Sequence, residues 1–405
     1  MSLKICLLSD HHLCINPRLW KEAFFYEKAG FEVVILTMWQ TNDLLQRDLE
    51  ILKGHQVVYK NYLNLIHGEI NTVQRFCYRL RKRLANELQR IFKIGTGWAI
   101  SHAPEKMYSK ALDEAADMYA AHLECAFFTG RKLINTGKKV SFDFEDWYSR
   151  DYLTPGRAVK LLTKLELFAV QHGIFCTAAS QSMADALMQT YPSSKKITTI
   201  YNSFPDEELA DFSYNNVAEE NSSFRLVWTS RTVGPERGLE TLLEALRLLQ
   251  QPVELHIIGK CMEGYEDYLK NNWPTSKGHI LVFHQFIRHS ELLQKIAGYD
   301  LGLAIESYTP DSRNKTITNK ILQYLQAGIR VLATDTDGQK EVAEYFPGCV
   351  FLVAARNPEQ WKDQLEKLIG NSKHENRAAQ LNIFKTIFSW PVQEQKLQQL
   401  LSENL

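Results

Sequence analysis

Two arginines, Arg231 and Arg237, flank a turn between a β-rich run and an amphipathic helix. The guanidinium group is a planar fork of N–H donors that matches the oxygens of a phosphate. A diphosphate leaving group needs about two positive charges to offset the charge that develops as its bond breaks. The pair therefore predicts a phosphate clamp, although two solvated surface arginines would give the same pattern, and the spacing alone leaves that alternative open.

A second polar segment, Glu306 to Asn314, is followed by Asn319 and Lys320 at the start of a predicted helix, Ile321 to Ala327. The first N–H groups of a helix lack partners within the helix and carry a partial positive charge, so they attract anions. The segment thus predicts an anion-binding cradle. The alternative is that Asn319 only caps the helix.

The stretch from Arg75 to Lys93 contains seven basic residues and one acidic residue, Glu87. The basic residues are Arg75, Arg79, Arg81, Lys82, Arg83, Arg90 and Lys93. Apolar residues recur between them at helical spacing, at Phe76, Leu80, Leu84, Leu88 and Ile91. A cationic amphipathic helix of this kind predicts contact with an anionic membrane surface, which would suit a lipid-linked acceptor. A helix packed on its domain with a solvated basic face is the alternative.

Short β-rich runs alternate with helical stretches along the chain, which predicts parallel sheets. The predicted strands of the first half are Lys4 to Ser9, Glu32 to Leu36, Lys139 to Asp143, Gly173 to Ala178 and Ile197 to Ile200. After a polar break, Pro205 to Ser223, the predicted strands are Arg225 to Trp228, Glu254 to Ile258, Ile280 to Phe283, Leu301 to Ala304, Arg330 to Ala333 and Val350 to Val353. This pattern predicts two doubly wound domains, residues 1–205 and 206–384, and a helical tail, residues 385–405.

Composition agrees with two domains, because 405 residues with 45% apolar side chains can fill two hydrophobic cores. The 47 basic and 47 acidic residues cancel, so the broad positive field of a nucleic-acid-binding protein is not expected. The seven cysteines are scattered and form no Cys-x-x-Cys pair, which favours reduced thiols in the cytoplasm. The sequence contains no leader-like segment and no apolar run of about 18 residues, so a cytoplasmic protein is expected.

The segment from Asn319 to Thr334 resembles the donor-site segment of the family 4 retaining glycosyltransferases, in which Asn-Lys-x-x-Glu-Tyr precedes Ala-Gly-x-Pro-Val. Arg231 and Arg237-Gly238 are similar to the phosphate clamp of that family, and Ile257-Ile258-Gly259 resembles the strand and glycine that follow the clamp. Further segments that resemble the family are Asn16-Pro17-Arg18, Asp143 to Trp147, Tyr201-Asn202-Ser203 and Ser389-Trp390. The resemblance extends over essentially the whole chain.

The resemblance implies a GT-B fold, an α/β architecture of two doubly wound Rossmann-like domains that face a cleft. Residues 1–205 would bind the acceptor, residues 206–384 would bind a nucleotide sugar of UDP or GDP type, and the helix 385–405 would cross back. A hexose would be transferred with retention to a hydroxyl of a glycan, a lipid-linked molecule or a small molecule. The family works in polysaccharide biosynthesis without a bound metal or other cofactor. Together with the basic helix from Arg75 to Lys93, a cytoplasmic location that is peripheral to the inner face of the membrane is expected.

The resemblance also implies roles for individual residues. His122, Arg231 and Arg237 would be catalytic, His122 by contact with the donor sugar, although a core or capping histidine is the alternative. The residues that would bind the donor are Gly259, Glu306, Asn319, Lys320, Ile321 and Gln323. The residues that would lie on the acceptor side are His11, His12, Asn16 and Arg18. An Asp-x-Asp sequence at Asp335 and Asp337 belongs to a different transferase fold, so no metal site is expected there.

One departure is clear: Lys315 and Gln323 occupy the positions where the family has two glutamates. Gln323 can still hydrogen-bond a ribose hydroxyl, but it carries no negative charge. Glu306 or Glu341 would have to supply a carboxylate. The departure keeps two alternatives open, a non-catalytic nucleotide-binding subunit of a glycosyltransferase complex and a sugar-nucleotide epimerase. A glycosidase is less well supported, because no local pair of carboxylates stands out.

Overall fold

The structure is a computed structural model that describes residues 2–151, 156–192, 195–203, 223–285, 287, 289–371 and 374–405. The predicted polar linker, Pro205 to Ser223, lies outside the described residues except for Ser223. The chain divides into two compact units. Unit 1 comprises Met1–Ile200 and Glu394–Leu405, and unit 2 comprises Tyr201–Gln393.

The described part of unit 1 contains a parallel sheet of seven strands flanked by helices. The strands are β1 (Lys4–Leu8), β2 (Glu32–Trp39), β3 (Val58–Asn64), β4 (Met118–His122), β5 (Lys139–Phe144), β6 (Cys176–Ala178) and β7 (Ile197–Thr199). The helices are α1 (Pro17–Lys28), α2 (Asn42–Ile51), α3 (Thr72–Phe92), α4 (Gly97–Ile100), α5 (Pro104–Asp113), α6 (Leu123–Ile134), α7 (Val159–His172) and α8 (Gln181–Thr190). The strand order is β3-β2-β1-β4-β5-β6-β7.

The described part of unit 2 contains a parallel sheet of six strands. The strands are β8 (Phe224–Val233), β9 (Val253–Cys261), β10 (Ile280–His284), β11 (Leu301–Ala304), β12 (Arg330–Thr334) and β13 (Val350–Val353). The helices are α9 (Leu239–Leu248), α10 (Tyr265–Asn271), α11 (His289–Ala297), α12 (Asp311–Lys315), α13 (Asn319–Gln326), α14 (Asp337–Tyr345), α15 (Pro358–Gly370) and α16 (Arg377–Ile383). The strand order is β10-β9-β8-β11-β12-β13.

The predicted helical tail contains a π-helical turn, Phe384–Phe388, followed by α17 (Trp390–Asn404). The part of α17 that belongs to unit 1 contacts the rest of that unit, since the Nζ of Lys396 donates a hydrogen bond to the carbonyl of Thr199 at 3.2 Å. Among the described helices, none combines the length and the apolar character that crossing a membrane requires.

The inner strands, such as β4, β11 and β12, are buried on both faces, as expected of parallel sheets with helices on each side, whereas the edge strands β3 and β10 are partly exposed. In β12 the side chains of Val331 and Ala333 join one hydrophobic cluster, whereas Leu332 between them joins the cluster on the opposite face. This alternation follows from the two-residue period of a strand. The predicted fold class, two Rossmann-like α/β domains, is confirmed.

Each sheet has one point at which the strand order reverses. In unit 1 the point lies between β1 and β4, and in unit 2 it lies between β8 and β11. The loops at the carboxyl ends of these two central strands lead away in opposite directions, which opens a crevice where doubly wound domains bind their ligands. Ligand-binding side chains are therefore expected among the residues that follow β1, β4, β8 and β11.

Candidate functional site

Arg231 lies further inside the sheet than the sequence predicts. The strand continues past its predicted end, Trp228, to Val233, so Arg231 belongs to an extension of β8 rather than to a loop. The register of β8 against β9 shifts between Thr229 and Thr232, where the pairing is irregular. The side chain of Arg231 is exposed beside the reversal point of the sheet.

Gly259 of β9 permits this irregular pairing. Its φ is +149°, and a Cβ atom at this position would lie 1.9 Å from the carbonyl oxygen of Ser230. Only glycine fits so close to a neighbouring backbone. The predicted donor-site glycine therefore shapes the β8 extension that carries Arg231.

Arg237 lies at the entrance of α9 and is half-buried. Gly238, the residue before that helix, has a φ of +84°, which glycine adopts without strain. Within the described residues, neither Arg231 nor Arg237 has a hydrogen-bond or ion-pair partner in the protein. Neither guanidinium group is therefore neutralised within the described protein, and the phosphate clamp stays a prediction.

Glu306 lies at the other side of the reversal point, two residues after the end of β11. It is almost fully buried and accepts a hydrogen bond from the Nζ of Lys320, and an Nη of Arg313 lies 3.5 Å from its carboxylate. The Lys320 ammonium also lies 5.2 Å from the centre of the Trp228 ring. The positive charge of Lys320 is therefore balanced inside unit 2.

The N-terminal turn of α13 has hydrogen-bonding groups that lack a partner in the described structure. Thr318 occupies the N-cap position but makes no capping hydrogen bond, and its buried Oγ1 has no hydrogen-bond partner in the described structure. Asn319 accepts a hydrogen bond from the side-chain amide of Asn202 at 2.9 Å. Ile321 is fully buried and Gln323 nearly so. The predicted cradle thus has first-turn N–H groups that no side chain caps.

Lys315, at one of the two positions where the resembled family has a glutamate, contacts an acidic residue. Its Nζ donates a hydrogen bond to Asp337 at 2.6 Å, and the amide of Asn314 donates to the same carboxylate oxygen at 3.0 Å. Asp335 accepts a hydrogen bond from the hydroxyl of Tyr308. The two carboxylates of the Asp-x-Asp sequence thus have separate partners.

His122 ends β4 at the reversal point of unit 1 and has no exposed surface. Its Nε2 lies 3.0 Å from Glu22, and its Nδ1 lies 3.0 Å from Glu145 and 3.3 Å from Asp143. Burial alone would lower the pKa of His122, but these carboxylates outweigh it and raise the pKa well above its usual value. His122 is therefore a buried imidazolium.

Arg18 completes this cluster, which we call the His122 cluster: Arg18, Glu22, His122, Asp143 and Glu145. Arg18 is buried and donates hydrogen bonds to both carboxylate oxygens of Asp143. Although burial opposes the charged carboxylate, Arg18 and His122 hold the pKa of Asp143 well below its usual range. The cluster is a preorganised set of buried charges.

The His122 cluster includes a group with the spacing of metal ligands. One donor atom from each of Glu22, His122 and Asp143 lies within 4.8 Å of the others. An imidazolium cannot ligate a metal, because both ring nitrogens carry protons. A metal would therefore have to displace the His122 proton, which the surrounding carboxylates retain in the metal-free protein.

The other residues predicted on the acceptor side, His11, His12 and Asn16, differ in burial and in their hydrogen-bond partners. His12 is fully buried, where its Nδ1 lies 2.5 Å from Asp48 and its Nε2 accepts a hydrogen bond from the backbone N–H of Gln40 at 2.8 Å. His11 is exposed. Asn16 caps α1 and donates a hydrogen bond to Glu145 at 2.9 Å. Of the two histidines, only His11 presents its side chain to solvent.

Glu124 is a residue that the sequence reasoning missed. It lies in the first turn of α6, two residues after His122, and follows Leu123, which has a φ of +68°. Burial raises the pKa of Glu124 to about 7, even though Arg157 lies 2.5 Å away and acts in the opposite direction. A carboxyl with such a pKa at a reversal point is a candidate for proton transfer. No spacing or motif around Glu124 indicates this role.

Two comparisons with known sequences give different results. Residues 223–371, which make up most of unit 2, match the family model described as glycosyl transferases group 1. No curated protein sequence matches the chain significantly.

The fold resembles several solved structures over nearly its whole length. HepE from Anabaena, crystallised with UDP and glucose, has 16% sequence identity and a TM-score of 0.69, with 99% of this chain and 100% of that chain covered. Sucrose-phosphate synthase from Thermosynechococcus elongatus has 11% identity and a TM-score of 0.68, with 99% of each chain covered. A glycosyltransferase from Rickettsia africae has 13% identity and a TM-score of 0.65, with 99% and 98% covered. These similarities establish the GT-B fold class.

Proposed function

We propose that the chain is a nucleotide-sugar-dependent glycosyltransferase that moves a hexosyl group to an acceptor hydroxyl with retention of configuration. The observation that carries the proposal is the pair of unpaired arginines, Arg231 and Arg237, at the reversal point of the sheet whose sequence matches the glycosyl transferases group 1 model. The structure of HepE with UDP-glucose makes a UDP-sugar the first donor to test, and a GDP-sugar the second.

In this proposal unit 2 binds the donor. Arg231 and Arg237 hold the diphosphate and stabilise the negative charge that grows on it as the glycosidic bond breaks. Gly259 shapes the strand that carries Arg231, and the uncapped start of α13, with Asn319 and Ile321, offers backbone N–H groups to the same ligand. The ion pair between Glu306 and Lys320 would position that helix. The side-chain amide of Gln323 would form a hydrogen bond with a ribose hydroxyl.

Unit 1 would bind the acceptor, a glycan, a lipid-linked molecule or a small molecule, in the course of polysaccharide synthesis. His11 is the exposed side chain that follows β1, and the buried His122 cluster would fix the floor on which the acceptor lies. Contact of His122 with the donor sugar would require the surrounding carboxylates to move. The reaction would proceed without a metal, because the two arginines supply the positive charge at the leaving group.

Thermal stabilisation by a panel of ligands tests the proposal. The panel contains UDP, GDP, ADP and their glucose conjugates, each at about 100 times its dissociation constant, where a ligand adds about 2.7 kcal/mol to the free energy of unfolding. We expect one nucleotide type to raise the melting temperature selectively. The absence of any shift would contradict the proposed donor site.

Matched arginine variants show where the nucleotide binds. Arg237→Ala should abolish most of the stabilisation, whereas Arg247→Ala, which alters an exposed arginine of α9 whose Nη2 donates a hydrogen bond to the Asn272 carbonyl, should retain it.

Product analysis then separates the competing functions. A non-catalytic subunit would bind the nucleotide and form no product, and an epimerase would convert the donor without an acceptor.

A further inference from the structure

Helix α3 presents its apolar residues away from the protein. Their exposed fractions lie between 40% and 67%, which is far above the value for a packed side chain. We call them the outer stripe: Val73, Phe76, Leu80, Leu84, Leu88 and Ile91. At 3.6 residues per turn these positions follow one side of the helix over almost its full length of about 30 Å.

The opposite side of α3 faces the rest of unit 1 and is mostly polar, apart from Ala85 and Tyr78, which packs against the hydrophobic core. The residues that are buried or half-buried there are Arg75, Tyr78, Lys82, Ala85, Asn86 and Gln89. A surface helix of a globular domain ordinarily buries its apolar side and exposes its polar side. The amphipathic character of α3 is inverted, so the packing of unit 1 does not account for the outer stripe. A continuous exposed apolar patch of this kind marks an interaction surface.

Positive charge borders the outer stripe. On a helical projection Arg79, Arg83 and Arg90 lie along one edge of the stripe, and Arg81 lies along the other. The guanidinium of Arg81 stacks 4.3 Å from the ring centre of Trp98. The single acid of the segment, Glu87, pairs with Arg90 at 2.7 Å, so it does not offset the remaining charges.

We propose that the outer stripe and its flanking arginines dock α3, parallel to the surface, onto a membrane that contains anionic phospholipids. The apolar side chains would enter the boundary between headgroups and acyl chains, and the arginines would reach the lipid phosphates. The chain as a whole has no net charge, so the attraction is local to this helix.

A second copy of the chain is a poorer occupant of the same surface. A symmetric contact through the outer stripe would bring the arginine edges of two α3 helices together. Like charges at such a short distance repel, and the described residues of α3 offer only Glu87 as an acidic partner. A lipid phosphate layer is complementary both to the apolar stripe and to its basic edges.

Cosedimentation of the full chain with vesicles tests this inference. We expect binding to vesicles in which phosphatidylglycerol replaces part of the phosphatidylcholine, little binding to pure phosphatidylcholine, and weaker binding at high salt. Sedimentation velocity without vesicles should show a monomer. A lack of binding to the phosphatidylglycerol vesicles, or a dimer that depends on the outer stripe, would overturn the inference.

Matched variants assign the binding to the helix. The triple variant Phe76→Ser, Leu84→Ser and Leu88→Ser should bind the vesicles about 100-fold more weakly, because burial of each apolar side chain is lost. The control variant Leu49→Ser, Leu248→Ser and Met262→Ser alters other exposed apolar residues and should bind as the wild type does. Circular dichroism confirms that both variants fold. Equal vesicle binding by the two triple variants would contradict the inference.

Single variants that each remove one arginine charge measure the electrostatic contribution to vesicle binding. Arg79→Gln, Arg83→Gln and Arg90→Gln should each weaken binding to the phosphatidylglycerol vesicles by about fivefold. Arg247→Gln on α9 should have no effect. These measurements use neither a donor nor an acceptor, so their outcome is independent of the proposed transferase activity.

Discussion

The reversal points of the two sheets hold positive charge in opposite ways. In unit 1 the buried cations Arg18 and His122 are surrounded by carboxylates. In unit 2 Arg231 and Arg237 have no partner among the described residues. A buried cation without a partner costs several kcal/mol, whereas a cation that reaches solvent is hydrated and stays available. The charges of the His122 cluster are thus neutralised within unit 1, whereas those of Arg231 and Arg237 are not neutralised within the described part of unit 2, as the proposed anion site requires.

The largest expected effect concerns the His122 cluster. His122→Ala would leave the three carboxylates of the His122 cluster with Arg18 as the remaining cation of that cluster, so we expect a loss of about 3–5 kcal/mol in the free energy of unfolding. Urea denaturation measures it, with the exposed His11→Ala as the control. A loss below about 1 kcal/mol would contradict the assignment of a structural role to this cluster.

Arg237→Ala tests the role of the arginines of unit 2 that have no partner among the described residues. We expect a loss of about 3 kcal/mol in transition-state stabilisation, or a decrease of about 100-fold in kcat/KM, because the diphosphate charge would lose a donor. The melting temperature without nucleotide should not change, since Arg237 has no partner in the described protein. Steady-state kinetics with Arg247→Ala as the control measures the effect, and unchanged turnover would remove Arg237 from the mechanism.

Glu124 predicts a pH dependence in unit 1. Its pKa of about 7 in the folded chain is higher than the ordinary value that applies when the chain is unfolded, so the folded state holds the proton more tightly. Stability should therefore fall as the pH rises from about 4 to about 7, by about 2 kcal/mol after allowance for partial exposure. Glu124→Gln should lack this decrease in urea denaturation, and equal slopes for both proteins would contradict the prediction.

The smallest effect is expected at Arg231. Its side chain is more exposed than that of Arg237, so solvent screens its interaction with the diphosphate. Arg231→Ala should weaken UDP binding by about 1 kcal/mol in isothermal titration calorimetry. If Arg231→Ala weakened binding more than Arg237→Ala, the order of importance inferred from exposure would be wrong.

Most strands of unit 2 could be predicted from the sequence because they contain a short apolar run, and in β9 Leu255 and Ile257 alternate with the polar Glu254 and His256. In unit 1 neither β3 nor β4 was among the predicted strands. Lys60 and Asn61 interrupt the apolar pattern of β3, and β4 contains two alanines, which have a low strand propensity. The extension of β8 was also missed, because its residues Thr229 to Thr232 are polar and the strand there is irregular. At β3 and at the β8 extension, tertiary pairing rather than local hydrophobicity decides the conformation.

The sequence indicated more residues of the candidate site of unit 2 than of the candidate site of unit 1. Arg237 and Lys320 lie at helix starts, which local patterns reveal, whereas Arg231 lies in the β8 extension that the sequence did not predict. The His122 cluster instead joins residues far apart in the chain, such as Arg18 and Asp143, which are separated by 125 positions. The pKa of Glu124 depends on burial, and no sequence pattern reports that quantity.

The most direct test of the account compares the binding of UDP, UMP and uridine to the wild type and to Arg237→Ala by isothermal titration calorimetry. If the unpaired arginines of unit 2 serve a diphosphate, affinity for the wild type should fall in the order UDP, UMP, uridine, and Arg237→Ala should selectively lose affinity for UDP. Equal affinity of the wild type for UDP and uridine, or equal binding of UDP by both proteins, would contradict the account.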